Sequence, residues 1–246
     1  MKKTSLNPVS LAIETSGRTG SVAIGTGFEA MEQVFFTGWM RHSVELLPSI
    51  EQMLKKHNFG ISDLKQVFIT IGPGSFTGLR IAASTAKMFA LATGVKIVAV
   101  NTMDVVAQNA DDIMRNSDKK INRIVTILDA KRKQFYVASY KNGDNGWIKT
   151  NEDCLMTADD VVKEFADMND PVCLLGEGLH YYRNKFDLDG VEIVDDQYWA
   201  ATAKKTYKVG YKMAQEKLFT SPAKLTPFYL RRPEAEVNWE KRQKSS

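Results

Sequence analysis

The chain has 246 residues, 43% of them apolar and 25% charged, with a net charge of +4. That is enough for one large domain or two small ones with real cores, and the composition is that of a soluble globular protein. No apolar run approaches membrane-spanning length and no secretory leader is expected ahead of Leu11, while Cys154 and Cys173 match no metal spacing, so a reducing, cytoplasmic setting is expected.

In chain order, residues 10–15 predict a short apolar strand, Ser16-Gly17-Arg18-Thr19-Gly20 a turn, 21–26 a hairpin partner and 32–36 a third strand. A helix follows over about 45–57, with Pro48 tolerable only in its first turn, where a missing N–H is no loss, and Gly60 ending the unit. Leu46, Leu47, Ile50, Met53 and Leu54 give it an apolar stripe wider than one sheet contact requires. An apolar strand over 67–71 then enters Gly72-Pro73-Gly74-Ser75-Phe76-Thr77-Gly78-Leu79-Arg80, the stretch around which the chain is organised. A helix rich in small residues leaves it, opened by Ser75 or by Phe76-Thr77, stopped by Gly94 and followed by a strand over 96–100.

This loop is not a P-loop. The second glycine, Lys and Ser/Thr are not at the spacing that motif needs, and Thr77 stands where a dinucleotide fingerprint needs glycine. The preferred reading is a strand–helix turn whose glycines allow close backbone approach, beside the alternative of a phosphate at the free N-terminus of the following helix. On the helix beyond it, Ala82, Ala86, Phe89 and Ala90 fit a sheet-facing stripe, leaving Arg80, Ser84, Lys87, Met88 and Leu91 for another face. Met88 and Leu91 form a candidate contact patch.

Residues 103–116 read as one bridging helix. The second half then repeats the first: strands over 123–129, 134–140 and 146–150, a helix from the Thr157/Asp160 cap to about 168, a strand over 172–175, the turn Gly176-Glu177-Gly178, a short helix over 179–186, a strand over 191–194 and a long helix over about 200–218. The duplication predicts two stacked α/β lobes, each with a mixed five-stranded sheet flanked by helices: an N-terminal lobe over 1–102, a C-terminal lobe over 103–222 and a tail over 223–246. The basic residues are spread out apart from Lys131-Arg132-Lys133 and Lys241-Arg242-Gln243-Lys244, a pattern that neither demands nor excludes nucleic acid.

Leu11-Ala12-Ile13-Glu14-Thr15-Ser16, Ser21-Val22-Ala23, His42-Ser43-Val44-Glu45-Leu46-Leu47-Pro48, the loop from Gly72 to Arg80, Leu128-Asp129-Ala130, Phe135-Tyr136, Gly176-Glu177-Gly178 and Pro227-Phe228-Tyr229-Leu230-Arg231 together resemble the TsaB (YeaZ) family of bacterial accessory proteins, glycoprotease-like (peptidase M22-like) in lineage. The resemblance covers almost the whole chain; Lys131 departs from it, where relatives usually carry Arg. It implies duplicated actin/Hsp70-like (RNase H-like) lobes and a non-catalytic role in threonylcarbamoyl-adenosine modification of ANN-decoding tRNA. It also implies binding to the catalytic relative TsaD, assembly with the ATPase TsaE, indirect contact with tRNA, and a homodimer when alone. The implied partner face lies on the two helices of the first lobe, through His42, Leu46, Ile50, Met53, Gly74, Thr77, Arg80, Ser84, Ala86, Lys87, Met88 and Leu91.

TsaD holds its metal with two histidines four residues apart on the helix after the corresponding strand. Here Thr102 and Val106 occupy those places, so the metal chemistry is expected to be absent, and with it a metallopeptidase reading. His42 and His57 are too far apart along one helix to share an ion and read as surface or interface histidines. Glu14, with Thr15, and Asp129 each end a lobe's first strand and could hold ATP or ADP in the assembled complex. The alternative is an actin-like ATPase or small-molecule kinase using Glu14 and Asp129. Set against it is a strand-end acid that binds its own turn, and no cofactor.

Overall fold

The computed structural model describes residues 7–37, 42–117, 119–231 and the single position 243; the tail expected beyond 231 otherwise lies outside the described residues. The first half comprises β1 (Val9–Glu14), β2 (Ser21–Gly25), β3 (Glu32–Phe35), α1 (His42–Lys56), β4 (Leu64–Gly72), α2 (Phe76–Thr93) and β5 (Lys96–Asn101). Its sheet has the order β3-β2-β1-β4-β5, with β2 antiparallel to its neighbours and β4 parallel to β1 and β5. Then come α3 (Thr102–Ala107), α4 (Asn109–Asn116), β6 (Arg123–Asp129), β7 (Gln134–Gly143), β8 (Gly146–Lys149), β9 (Cys154–Thr157), α5 (Ala158–Phe165), β10 (Val172–Leu175), α6 (Leu179–Tyr182), β11 (Val191–Ile193) and α7 (Ala203–Gln215).

The second sheet, β11-β10-β6-β7-β8, repeats the pairing of the first: a central strand with an antiparallel hairpin partner on one side and a parallel crossover on the other. It has six strands instead of the five expected. The ten-residue β7 is long enough for two partners, β8 on its last four residues and β9 on its first four.

All of β1 and β2 is buried, because helices cover both faces of the first sheet. Side-chain alternation divides them. Leu11, Ile13, Val22, Ile24, Val67 and Ile69 face an outer core made with α1 and α2. Ala12, Ala23, Phe68, Val98 and Val100 face an inner core that continues through α3 and α7 to Val125 and Ile127 of the second sheet. Tyr207 of α7 meets Phe68 edge-on at 5.5 Å, so the last helix packs on the first sheet.

Local chemistry sets the helix ends. Ser75 caps α2 by accepting from the Gly78 N–H, and Gly94 ends it at φ 73°. The Thr157/Asp160 capping box opens α5, which stops at Phe165, short of the expected end near 168. Three expectations are corrected. Helix α1 begins at His42, so Pro48 lies inside it, not in its first turn. The carbonyl it leaves without an N–H is that of Val44, on a side of the helix where both residues are exposed to water. Asn58 at φ 57° takes the left-handed position after α1, ahead of Gly60, and the Phe59 N–H returns to the Leu54 carbonyl. The helix expected over 103–116 breaks at Gln108, whose carbonyl is held by the Lys205 ammonium at 3.0 Å.

Candidate functional site

The glycine-rich loop after β4 is packed backbone to backbone. A Cβ on Gly78 would overlap the Thr15 carbonyl oxygen, and one on Gly72, at φ +127°, would overlap that of Phe228. The Ser75 N–H donates to the Ser16 carbonyl at 2.7 Å, and the Thr15 hydroxyl donates to the Gly78 carbonyl at 2.8 Å. These contacts dock the N-terminus of α2 onto the end of β1 and fix the angle at which α2 runs beside α1.

On the outer surface of that helix pair, the expected partner residues divide. His42, Leu46, Ile50, Met53 and Ala86 are buried within the chain, at 6%, 1%, 2%, 2% and 0% exposure. They make the outer core and are corrected as partner contacts. Gly74 and Lys87 are half-buried; Thr77, Arg80, Ser84, Met88 and Leu91 are exposed, Leu91 to 84%. The expected partner set lacks Val44, exposed to 61%, and Leu47, exposed to 46%, although Leu47 belongs to the over-wide stripe of α1. One step of helical rotation from Leu46 turns Leu47 outward, which is why the α1 stripe is wider than the sheet needs.

Between the helices runs a groove of about 420 Å³, lined among others by Ser43, Leu47, Thr77, Ile81 and Ser84. Its end wall is tied to the C-terminal strap. The Arg80 guanidinium lies 3.9 Å from the Phe76 ring centre. Tyr229 stacks on Phe76 at 4.6 Å, and its hydroxyl accepts from Arg80 Nε at 3.3 Å. Phe76 and Tyr229 carried no local signal in the sequence, since their contact spans more than half the chain.

The titratable candidates have other occupations. Glu14 is fully buried and accepts from the Ser16 N–H at 2.6 Å, from the Ser16 hydroxyl, and from the Thr206 hydroxyl at 3.4 Å. Burial pushes its carboxyl above the usual range, against those hydrogen bonds. Asp129 accepts from the Lys131 N–H at 2.7 Å and from its ammonium at 2.9 Å. Each strand-end acid therefore binds the turn that follows it. Contrary to the expected surface position, His42 is buried against Phe36 with Nδ1 unpartnered, and burial lowers its pKa. His57 joins Glu32 of β3 at 2.7 Å.

Thr102 and Val106 share one side of α3, both buried. An aliphatic side chain has no donor and a neutral hydroxyl is a poor ligand, so this pair does not fit a metal. Among the described residues no group of three or more His, Cys, Asp or Glu side chains is placed to hold an ion. No helix among the described residues is long and apolar enough to cross a membrane.

The family model for TsaD, tRNA N6-adenosine threonylcarbamoyltransferase, matches residues 39–239. The chain belongs to the TsaD family, in its TsaB (YeaZ) branch. The tRNA threonylcarbamoyladenosine biosynthesis protein TsaB of Bacillus subtilis is 27% identical over 239 residues, 95% of this chain and 99% of its own. The protein of the same name from Escherichia coli is 24% identical over 94% of this chain and 96% of its own. YeaZ from Pseudomonas aeruginosa has the same fold, with a TM-score of 0.77 at 21% identity over 91% of this chain and 100% of that one. The duplicated α/β architecture implied by the resemblance, two mixed sheets flanked by helices, is the one observed.

Proposed function

We propose that the chain serves tRNA threonylcarbamoyladenosine biosynthesis as a non-catalytic subunit that docks a TsaD-like catalytic subunit on the outer face of α1 and α2. The observation that carries this reading is the set of exposed apolar side chains on the two helices, Val44 and Leu47 of α1 and Met88 and Leu91 of α2, with Leu47 lining the groove of about 420 Å³. Two helices that bury one stripe and leave a second apolar stripe open have the form of half a four-helix bundle. Thr77, Arg80 and Ser84 give this face a polar border, as interfaces have around their apolar centres. Val106 offers no metal donor where the catalytic relative carries a histidine, so the transfer chemistry belongs to the partner. A TsaE-like ATPase joins the assembled pair in the cytoplasm, and no resident cofactor is assigned to the chain itself. Without its partner, the same face pairs with a second copy.

The test mixes the purified chain with the TsaD-like subunit from the same genome and follows complex formation by size-exclusion chromatography and calorimetry. The variant Met88→Asp/Leu91→Asp is expected to keep its circular dichroism and melting temperature, to lose the complex, and to elute as a monomer. Complex formation at unchanged affinity by this folded variant would reject the α1–α2 face.

A further inference from the structure

Lys131, Arg132 and Lys133 form the tip of the β6–β7 hairpin, and all three are in the left-handed region, at φ 63°, 57° and 61°. Side chains rarely take that conformation, and here three do so in succession. The first lobe shows that the fold does not need this: in the equivalent β1–β2 turn, Ser16-Gly17-Arg18-Thr19-Gly20, no residue lies in that region. The strained tip therefore carries side chains that the turn alone has no use for.

The tip is rigidly based. Ala130 and Gln134 close it by a backbone hydrogen bond of 3.0 Å, and Gln134 N–H returns to the Lys131 carbonyl at 3.1 Å. Asp129 grips the Lys131 N–H and ammonium. From the other side the Arg231 guanidinium donates to the Ala130 and Lys131 carbonyls and to the Gln134 side chain. With these bonds in place all three basic residues are exposed at one point, the Lys131 ammonium turned back onto Asp129.

The tip also has an aromatic neighbour. The Asp129 carboxylate, and more weakly Tyr181 and Tyr182, hold the Lys131 ammonium above its ordinary pKa against the effect of burial. Tyr181 is exposed to 68%, and the Arg18 guanidinium rests 5.2 Å from its ring centre. Arg18 of the first lobe's turn thus lies on the exposed Tyr181 ring, and the same tyrosine acts electrostatically on Lys131 of the second lobe's turn.

We propose that this surface (Arg18, Lys131, Arg132, Lys133 and Tyr181, based on Arg231) binds RNA directly, the basic tip taking backbone phosphates and Tyr181 stacking on an unpaired base. Cationic side chains beside an exposed ring are the combination that single-stranded nucleic acid uses, with charge for affinity and the ring for the base. The surface shares no residue with the α1–α2 face. The inference draws on the tRNA part of the proposed function, replaces the indirect tRNA contact expected from the resemblance, and does not rest on the docking part.

The experiment is fluorescence anisotropy of an end-labelled, unmodified tRNA transcript with the full chain, between 50 and 200 mM salt. Wild type binds, and the exposed double variant Arg132→Glu/Lys133→Glu weakens binding at least tenfold. It also reduces the magnitude of the log–log salt slope by about 1.4, at ~0.7 for each single-strand phosphate that the variant leaves unneutralised. Tyr181→Ala weakens binding several-fold at unchanged slope, and Tyr181→Phe restores it. Met88→Asp/Leu91→Asp binds tRNA like wild type, which separates failure here from failure of the docking face. Absence of wild-type binding at 50 mM salt, or an unchanged affinity and slope in the charge-reversed variant, would overturn the proposal. So would equal affinity for duplex DNA of the same length with Tyr181→Ala silent.

Discussion

The two faces of the first sheet differ in what their helices leave over. On the inner face α7 and α3 are sealed: Ala203, Tyr207 and Val105 are all fully buried, and the core runs on into the second sheet. On the outer face α1 and α2 bury Leu46, Ile50, Met53, Ala82, Ala86 and Phe89, then present Val44, Leu47, Met88 and Leu91 to water. One face is finished within the chain and the other is finished only by something else. A helix is thus identified as a docking element by its second stripe, and substitutions at the first stripe test folding instead of binding.

The largest effect is expected where the two stripes are confused. Ile50→Asp or Ala86→Arg would place an unpaired charge in the outer core, at a cost of about 4 kcal/mol or more. Both variants are expected to lose cooperative melting by circular dichroism, so their failure to bind a partner would say nothing about the interface. A cooperative, near-native melt for either would place the first stripe outside the core and break the comparison.

Next comes the sealed face. Tyr207→Ala removes a fully buried ring and is expected to destabilise by about 3–5 kcal/mol in urea titration. Tyr207→Phe keeps the ring against Phe68 and loses only the hydroxyl donating to the Gly27 carbonyl at 2.8 Å, for about 1 kcal/mol. Equal losses in the two variants would mean that the hydrogen bond, not the packing, seals this face.

Much of this arrangement was legible in the sequence, where the signals are local. The Ser75 and Gly94 ends of α2, the Thr157/Asp160 box and the repeated strand order follow from residues within a few positions of one another. The Gln108 break gave no local signal, and the Lys205 ammonium that holds its carbonyl is 97 residues away. The site was half legible. Met88 and Leu91 stand outside the small-residue stripe of α2, whereas α1 is apolar all the way from Leu46 to Leu47, and only the sheet decides which of them turns inward. Tyr229 was marked by the resemblance, but its bracing of Arg80 from 149 residues away was not legible.

A smaller effect, of opposite sign, is expected at Pro48. The outer side of α1 tolerates a helix-interior proline because the carbonyl it orphans is on a solvated side. Pro48→Ala restores that N–H and is expected to stabilise by about 1–2 kcal/mol, a rise of a few degrees in Tm for a chain of this length. A fall in Tm would show that the proline ring packs on something the helix needs.

The smallest effects separate the faces by pH, because the buried His42 on one and the buried Glu14 on the other shift in opposite directions. His42, on the α1 side, has its pKa lowered by burial. Its contribution to stability is fully present above the unfolded value near 6.5 and is lost as pH falls through the folded one. Glu14, against Thr206 of α7, has its pKa raised by burial, so its contribution is present below the unfolded value near 4.5 and is lost as pH rises through the folded one. His42→Gln should therefore flatten the decline in Tm on the acid side of pH 6.5 and leave the alkaline side alone. Glu14→Gln, which keeps an acceptor for the Ser16 N–H, should raise Tm at pH 7–8 and lose that gain below about pH 4.5. A Glu14→Gln variant less stable at pH 8 than wild type would mean that the carboxylate has a cationic partner on the inner face, and that this face too is completed from outside.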